Sequence, residues 1–283
     1  MGLALSSGYF LVFHGSRDRR GQVILSKLIY ILNRELADRF ILTQGKYSKQ
    51  HSSDTQNNIR NYTGNCFDSN VQRVDFLSNM EIPSIGTGSL ELTTIPLHKK
   101  IEKYAGFIQK FGYTHLKILP LFLNPGVHVC EDIPTEISLV KRFLAKEMTS
   151  ELLPYLGSYP QTLTILNKQF TPTANDGKIL LAHGTKYPQG NIWLQNLANQ
   201  LNASIAYYSV SGSLQAQIEN LISKQKHKIK IIPYFLFPGR ITDAIATEVN
   251  KLQQVFPKTQ LILGKPLGET EELANLIIEV LTK

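Results

Sequence analysis

The sequence repeats one pair of motifs in the same order, and this duplication constrains the fold more than any other feature. The segment GYFLVFHGSRD at 8–18 is followed by LKILPLFLNPGVHVCEDIPTEI at 116–137. The segment KILLAHGTKYP at 178–188 is followed in turn by IKIIPYFLFPGRITDAIATEV at 229–249. Paired landmarks that recur in order indicate an internal duplication. The sequence therefore predicts two halves with similar folds.

The first motif of each pair joins a buried strand to a helix through a His-Gly turn. The apolar runs 10–13 and 179–182 are typical of strands buried in a parallel sheet. In the first copy, apolar residues then recur with helical spacing over 23–40. We therefore expect His14 and His183 to lie between a strand and a helix, at the edge where open α/β sheets bind ligands.

The second motif of each pair follows the same pattern. The runs 118–123 and 231–237 predict strands that break at Asn-Pro-Gly and Phe-Pro-Gly, with an apolar helical face after each break. Each half then closes with a predicted strand and a Pro/Gly turn, at 155–160 and 261–268, and the chain ends in a helix over 269–282. This alternation predicts an α/β protein with a parallel sheet flanked by helices in each half.

The composition along the chain suggests where the two halves begin and end. We expect an N-terminal half at 1–170, a polar Pro/Gly linker at 171–177 and a C-terminal half at 178–283. The total of 283 residues is enough for two compact domains. The stretch 44–80 is rich in Ser, Asn, Gln and Asp and lacks apolar periodicity, so it is predicted to be a surface insertion; a lid is the alternative.

The charge and cysteine content exclude several classes of protein. Thirty Lys and Arg against 22 Asp and Glu give a formal charge of +8, which favours a polyanionic partner. The basic residues are scattered and no aromatic-rich RNA motif is present, which argues against nucleic acid. No apolar stretch approaches the roughly 20 residues that span a bilayer, which argues against membrane insertion. Cys66 and Cys130 have no CxxC partner and suit a reducing cytoplasm; Cys130 is expected to be a small buried thiol.

The motifs taken together resemble a known family. HGSRD at 14–18, SLEL at 89–92 and PGVHVCEDIP at 125–134 resemble the two-domain sirohydrochlorin chelatases, the class II cobalto- and ferrochelatases of cobalamin and sirohaem synthesis. The resemblance covers both halves and fails mainly over the 44–80 insertion. It implies two flavodoxin-like α/β lobes with a cleft between them. It also implies insertion of Fe²⁺ or Co²⁺ into sirohydrochlorin, an octacarboxylate tetrapyrrole, with the metal as a substrate and no permanently bound cofactor.

The resemblance assigns the handling of the metal to His14 and His128, with Glu91 as the acidic residue of the catalytic region. Chelation requires that the metal sheds water and that two pyrrole N–H protons leave the macrocycle. Neutral imidazole binds borderline ions such as Fe²⁺ and Co²⁺ and is also a base near neutral pH. Two histidines and one carboxylate therefore suit both tasks, although Glu91 also fits an acid at a helix N-terminus.

Five further residues are expected to contact the substrate. Ser16 and Arg17 adjoin the first His-Gly turn, and Gly126 belongs to the loop before His128. Arg240 stands in the second-half loop that faces the proposed cleft and suits a carboxylate of the tetrapyrrole. His183 either contacts the substrate or orients its own loop.

Alignment of the two copies predicts one complete site rather than two. The aligned pairs are His14 with His183, Glu91 with Tyr208, and His128 with Ile241. The second copy thus keeps only the histidine that follows its first strand. We expect the site on the first lobe, with the second lobe closing the cleft and a single duplicated chain supplying both sides.

Two other functions are compatible with these residues. A tetrapyrrole or metal carrier without turnover would need the same ligands, and a metal-insertion assay separates it from an enzyme. A phosphotransfer enzyme with His14 as nucleophile is suggested by the neighbouring arginine. The arginine follows rather than precedes His-Gly, however, and no glycine-rich phosphate loop is present.

Overall fold

A computed structural model describes most of the chain outside one long segment. The described residues are 7–44, 85–144, 148–170 and 176–283. The predicted insertion and the predicted linker lie almost wholly outside them. The proposed limits of the halves, 1–170 and 178–283, stay a prediction.

Strands and helices alternate along the first half. The elements are β1 (Ser7–Phe13), α1 (Arg19–Gln44), β2 (Ile85–Ser89), α2 (Leu97–Gln109), β3 (His115–Pro120), α3 (Ile133–Phe143), β4 (Thr149–Leu152) and α4 (Gln161–Phe170). The strands pair in parallel in the order β2-β1-β3-β4. The central strand β1 is fully buried over most of its length, as its continuous apolar run predicts.

The second half repeats this arrangement. Its elements are β5 (Gly177–Ala182), α5 (Pro188–Gln200), β6 (Ser204–Tyr207), α6 (Ser213–Ser223), β7 (Lys228–Pro233), α7 (Arg240–Val255), β8 (Gln260–Leu263) and α8 (Glu271–Thr282). The strands are again parallel and lie in the order β6-β5-β7-β8. The predicted α/β class and the duplicated parallel sheets are confirmed.

Two predicted strands are shorter than expected. The runs 118–123 and 231–237 leave their sheets at Pro120 and Pro233. Proline has no backbone N–H to donate to a ladder. One further bond follows each proline, from the Leu121 N–H to the Val12 carbonyl at 2.7 Å and from the Tyr234 N–H to the Leu181 carbonyl at 2.8 Å, and the regular pairing ends there. The apolar residues after each proline instead form the loop that leads to the next helix.

The predicted strand at 155–160 is wrong. The closing strand β4 lies earlier in the chain, and a single 3₁₀ turn occupies Leu156–Ser158. Leu156 is fully buried there, and the Gly157 N–H donates a hydrogen bond to the Phe122 carbonyl at 2.9 Å. A short apolar run in a buried turn has the same composition as a strand, so periodicity does not separate the two.

The buried residues fall into three clusters, which hold five layers together: an outer layer of helices, the first sheet, a middle layer of helices, the second sheet and another outer layer of helices. Helices α2 and α3 cover one face of the first sheet, and α6 and α7 cover one face of the second. The remaining helices, α1, α4, α5 and α8, pack with the other face of both sheets in one continuous core. The alternating residues of β1 show this division, because Leu11 faces the shared core and Phe10 faces α2.

The last helix of each half contacts the other half. Helix α4 lies against β7 of the second sheet, and α8 packs on α1 and α4. The ammonium of Lys117, on β3, donates a hydrogen bond to the Leu281 carbonyl at 3.2 Å near the end of α8. The lobes therefore share their central core, which fixes the cleft more firmly than two separate cores joined by a linker would. Among the described residues, no helix is long and apolar enough to cross a bilayer.

A buried tyrosine joins the loops that follow β3 and β7. The Tyr234 hydroxyl donates a hydrogen bond to the Leu123 carbonyl at 2.8 Å, and burial raises the pKa of Tyr234 well above its ordinary value. Gly157 packs directly on the backbone of the same Leu123. This contact leaves no room for a side chain at position 157.

We expect Gly157→Ala to lower the free energy of unfolding by about 1–3 kcal/mol, because its Cβ would overlap the Leu123 backbone and displace the loop between the lobes. Gly106→Ala is the matched control, since a Cβ on this α2 glycine meets nothing within 4 Å. That change should stabilise the helix by about 0.5–1 kcal/mol. Urea unfolding measures both, and an unchanged midpoint for Gly157→Ala would contradict the packing described.

Candidate functional site

Three side chains that can ligate a metal lie at the carboxyl edge of the first sheet. His14 directly follows β1, Glu91 follows β2 by two residues, and His128 comes after the loop that leaves β3. Because β1 is hydrogen-bonded to both β2 and β3, the residues after these strands are brought to one edge of the sheet. This is where open α/β sheets place their ligand sites.

Backbone contacts set Glu91 beside His14. The carbonyl oxygen of His14 accepts a hydrogen bond from the Glu91 N–H at 2.8 Å, which continues the pairing of β1 with β2 beyond the strand ends. Gly15 has φ +107°, and a Cβ there would lie 2.5 Å from the Glu91 carbonyl oxygen. The glycine of the His-Gly turn is thus required by its left-handed backbone and by this close approach.

A π-helical turn places His128. The turn covers His128–Asp132 and runs directly into α3, and the N–H groups of Val129 and Cys130 both donate to the Gly126 carbonyl. Such turns are uncommon and occur frequently at functional sites. Here the turn brings the Asp132 carboxylate to 2.7 Å from Nδ1 of His128.

The three side chains form a compact cluster. Nε2 of His14 lies 3.8 Å from one carboxylate oxygen of Glu91, and Nε2 of His128 lies 3.5 Å from the other. The two imidazole rings are perpendicular, with centroids 4.8 Å apart. One ligand atom from each residue lies within 4.8 Å of the others, and within the described ranges this is the one group of three or more such side chains with that spacing.

The donor set and its exposure indicate the chemistry. Two imidazoles and one carboxylate suit borderline divalent ions such as Fe²⁺, Co²⁺ and Ni²⁺. About half of the His14 and Glu91 side chains is exposed to solvent, and about a third of the His128 side chain. A metal held here by three protein ligands can keep open coordination positions for water or a substrate.

The site borders the cleft between the lobes. The Phe122 ring lies 6.4 Å from the ring of His14 and 6.1 Å from the ring of His128, as an apolar wall. A small pocket beside His14 is lined mainly by apolar side chains from both lobes. Among the pocket residues are Phe13, Leu25 and Leu121 of the first lobe and Leu236 and Phe237 of the second.

An ion pair joins the lobes near the start of α1. The Arg20 guanidinium donates hydrogen bonds to both carboxylate oxygens of Asp243, at 2.8 and 2.6 Å, and also to Asp18. The side-chain hydrogen bond from Arg20 lowers the pKa of Asp18 to about 2. Because Arg20 and Asp243 are 223 positions apart, no local sequence signal could have identified this contact.

The predicted substrate contacts on the first lobe occupy loops at the same edge. Ser16 accepts a hydrogen bond from the Asp18 N–H at 3.0 Å, which stabilises the turn after His14. Arg17 is exposed on this turn. Space beside the Gly126 Cα is open, since a Cβ built there meets nothing within 4 Å.

The predicted contacts on the second lobe are also accessible. Arg240 is exposed at the first position of α7, and its charge helps to lower the pKa of Asp18 after the larger effect of Arg20. His183 is exposed, its Nδ1 lies 2.9 Å from the Gly184 carbonyl, and its ring lies 6.0 Å from Tyr208. His183 is not a member of the three-residue cluster.

The predicted pairing of Glu91 with Tyr208 is wrong by one residue. Glu91 N–H donates to the His14 carbonyl, and the equivalent bond in the second lobe runs from Ser209 to the His183 carbonyl. The sequence alignment is anchored on Leu97 and Leu214 in the helices. Seven residues separate the end of β2 from Leu97 and six separate the end of β6 from Leu214, which displaces the alignment by one. The second lobe still has no carboxylate at this position.

The structure reveals one further side chain at the site, and it shows that one expectation from the sequence is wrong. Asp132 contacts His128, and the four-residue spacing on a helical turn is the signal that could have identified it. Cys130, expected to be buried, is exposed on the π-helical turn and lies beside Tyr187 of the second lobe.

The duplicated parallel sheets and the His-carboxylate cluster at the edge of the first sheet define a two-lobed α/β protein with a candidate metal site. The model of the CbiX family matches residues 72–173 and 177–283, once in each half. The chain therefore belongs to the CbiX family. The first matched segment includes Glu91 and His128 and begins after His14, which stands on the far side of the 44–80 stretch.

Similar proteins support this assignment. A sirohydrochlorin ferrochelatase of Priestia megaterium is 25% identical over 212 residues, which are 70% of this chain and 77% of the relative. The solved structure of SirB from Bacillus subtilis with Fe³⁺ has a TM-score of 0.67 at 18% identity, covering 98% of this chain and 95% of SirB. SirB from Bacillus subtilis subspecies spizizenii in complex with cobalt has a TM-score of 0.63 at 16% identity, covering 98% and 94%. Both structural matches show a shared two-lobed fold.

We expect Glu91→Ala and His128→Ala each to weaken Co²⁺ binding by roughly 10-fold or more, because each removes a candidate ligand. Loss of a residue that only hydrogen-bonds a metal ligand already lowers metal affinity by about this factor in other proteins. His115→Ala is the matched control. His115 also lies near a carboxylate, 3.3 Å from Glu151, but at the start of β3 and hence at the opposite edge of the sheet. Isothermal titration with Co²⁺ measures the affinity of all three variants. Wild-type affinity in Glu91→Ala and His128→Ala would show that the cluster is not a metal site.

Proposed function

We propose that this chain inserts a divalent metal, Fe²⁺ or Co²⁺, into sirohydrochlorin in sirohaem or cobalamin biosynthesis. The observation that carries the proposal is the solvent-accessible cluster of His14, Glu91 and His128 at the cleft of a CbiX-family fold. The relative from Priestia megaterium is a sirohydrochlorin ferrochelatase, which supports the choice of macrocycle. The direct test is anaerobic insertion of Fe²⁺ and of Co²⁺ into sirohydrochlorin, with kcat/KM compared for the two metals.

The cluster is suited to delivering a metal rather than retaining it. His14 and His128 would hold the ion through Nε2, with the Glu91 carboxylate between them. These few protein ligands are open to solvent, so four pyrrole nitrogens can replace them as the ion transfers. The metal is a substrate in this scheme, and no permanently bound cofactor takes part.

Insertion also releases two protons. The ion M²⁺ and the neutral macrocycle with two inner N–H groups give the metallated macrocycle and two H⁺, so a base must accept each proton. Imidazole and carboxylate groups are bases near neutral pH, and a positioned base contributes roughly 10²- to 10⁴-fold to such a step. We assign proton acceptance to His14, His128 and Glu91, which pass the protons to the adjoining solvent.

The substrate is a polyanion, and the cleft offers cations and hydrogen-bond donors on both sides. Arg17 on the first lobe and Arg240 on the second would pair with its carboxylates. Ser16, Gly126 and His183 complete the proposed contacts. The two lobes of one chain supply both walls of the site, so a monomer suffices for the reaction. We propose that the reaction takes place in the cytoplasm.

The geometry disfavours phosphoryl transfer through His14. The Glu91 carboxylate lies 3.8 Å from Nε2 of His14, where its negative charge would repel a phosphate. A carrier without turnover would use the same ligands, and the insertion assay separates it from an enzyme. A carrier would bind sirohydrochlorin and Co²⁺ without producing the metallated macrocycle.

We expect His14→Ala and His128→Ala each to lower turnover by roughly 100-fold or more, because each loses a metal ligand and a base. Both side chains are substantially exposed at the sheet edge, so the melting temperature should change little. Steady-state insertion of Co²⁺, followed by the absorption change of the macrocycle, measures the effect. A folded His128→Ala protein with wild-type turnover would disprove its assigned role.

The second lobe should contribute to binding more than to chemistry. His183 lacks an equivalent of Glu91 or His128, so His183→Ala should act mainly through KM and reduce activity less than His14→Ala.

Arg240→Ala should raise the KM for sirohydrochlorin, with a smaller difference from wild type at high ionic strength because salt screens exposed charges. Kinetics at two salt concentrations test both changes. An equal loss of kcat in His183→Ala and His14→Ala would indicate a site shared symmetrically by the lobes.

A further inference from the structure

His128 is held by a carboxylate that lies outside the three-residue cluster. Oδ2 of Asp132 lies 2.7 Å from Nδ1 of His128, which is shorter than the distance from either cluster histidine to Glu91. The other ring nitrogen of His128, Nε2, points to Glu91. Asp132 and Glu91 therefore contact opposite sides of the same ring.

We infer that Asp132 is a positioning residue that fixes the tautomer and orientation of His128, so that Nε2 presents its lone pair to the metal. An ionised carboxylate only accepts hydrogen bonds, so Nδ1 of His128 must carry the proton that Asp132 accepts. In neutral imidazole the lone pair is then on Nε2. Carboxylates behind metal-binding histidines act in this way in other metal sites. The inference deepens the proposed function and rests on it for its catalytic consequence.

The backbone around Asp132 is firmly held. Asp132 ends the π-helical turn, and the next residue, Ile133, is fully buried in the core under α3. One turn further on, a Glu136 carboxylate oxygen accepts hydrogen bonds from the N–H of His98 at 2.7 Å and from its ring Nδ1 at 2.8 Å. These contacts tie the start of α3 to the start of α2. The carboxylate of Asp132 therefore projects from a rigid base.

The duplication supplies an internal comparison. Pro120 and Pro233 hold equivalent places in their sheets, paired with Val12 and Leu181. Counting forward from these prolines places His128 opposite Ile241 and Asp132 opposite Ile245. The second lobe, which has no counterpart of His128, thus also has no counterpart of Asp132. This is expected if the two residues act together.

His14 is held differently. Within the part of the chain that the structure describes, its side chain makes no contact with a carboxylate other than the 3.8 Å approach to Glu91. Its orientation is therefore set less tightly than that of His128. The asymmetry makes His128 the oriented ligand of the pair, and Asp132 the residue responsible.

The decisive variant is Asp132→Asn, with Glu131→Gln as the matched control. The amide of asparagine can donate to Nδ1, which moves the ring proton to Nε2 and blocks the metal-facing lone pair. Removal of a neighbouring carboxylate charge is common to both variants, but Glu131 makes no side-chain hydrogen bond to His128. We expect Asp132→Asn to raise the Kd for Co²⁺ alone by roughly 10- to 100-fold and Glu131→Gln to leave it unchanged. Asp132→Glu should restore part of the affinity.

A second measurement needs no variant to fold. The ¹⁵N shifts of the His128 ring in the wild-type protein report its tautomer, and protonation at Nδ1 is expected. An Nε2–H tautomer would overturn the inference, as would wild-type Co²⁺ affinity in a folded Asp132→Asn protein or equal losses in both variants. Metal binding is measured without sirohydrochlorin, so the proposed function can fail separately. In that case Asp132→Asn weakens Co²⁺ binding although the wild type inserts no metal.

Discussion

Backbone hydrogen bonds between β1 and its two neighbours hold the candidate site together. The ladder between β1 and β2 extends to the bond from Glu91 N–H to the His14 carbonyl, which sets these two residues side by side. On the other side, β3 ends at Pro120 and releases the loop that carries His128 back to the same edge. A shift of one residue in either pairing would move these side chains out of reach of one another. The parallel sheet is therefore part of the site as well as its support.

The two lobes share a fold and differ in chemistry. In each lobe the central strand is followed by a histidine and then by a glycine with positive φ, Gly15 in the first and Gly184 in the second. Beyond that point the second lobe has Ser209 in the place of Glu91. Duplication thus supplied two walls of similar shape, and the proposed chemistry resides in one of them. The second wall remains free to contribute substrate contacts such as Arg240.

The shared core makes the cleft a fixed feature of the fold. Because α4 and α8 each pack across the boundary, separating the lobes would expose part of the largest cluster of buried side chains. The Tyr234 hydroxyl and the Arg20 guanidinium add polar contacts between the lobes at the level of the site. The distance between the two walls is consequently set by packing in the core.

The sequence by itself determined the α/β class, the duplication and the strand-end positions of His14 and His183, because these follow from local apolar periodicity and turn residues. It also pointed to Glu91 and His128 through family motifs. Only the tertiary structure decided which contacts join distant segments. Examples are the packing of α4 and α8 against the opposite lobe and the ion pair of Arg20 with Asp243. The sequence predicted a strand over the turn at Leu156–Ser158 because this turn is buried and therefore has the apolar composition of a strand. The role inferred for Asp132 also needed the tertiary structure. Its four-residue spacing from His128 is compatible with a contact on a helical turn, but the π-helical turn is what places the carboxylate against Nδ1 of the ring.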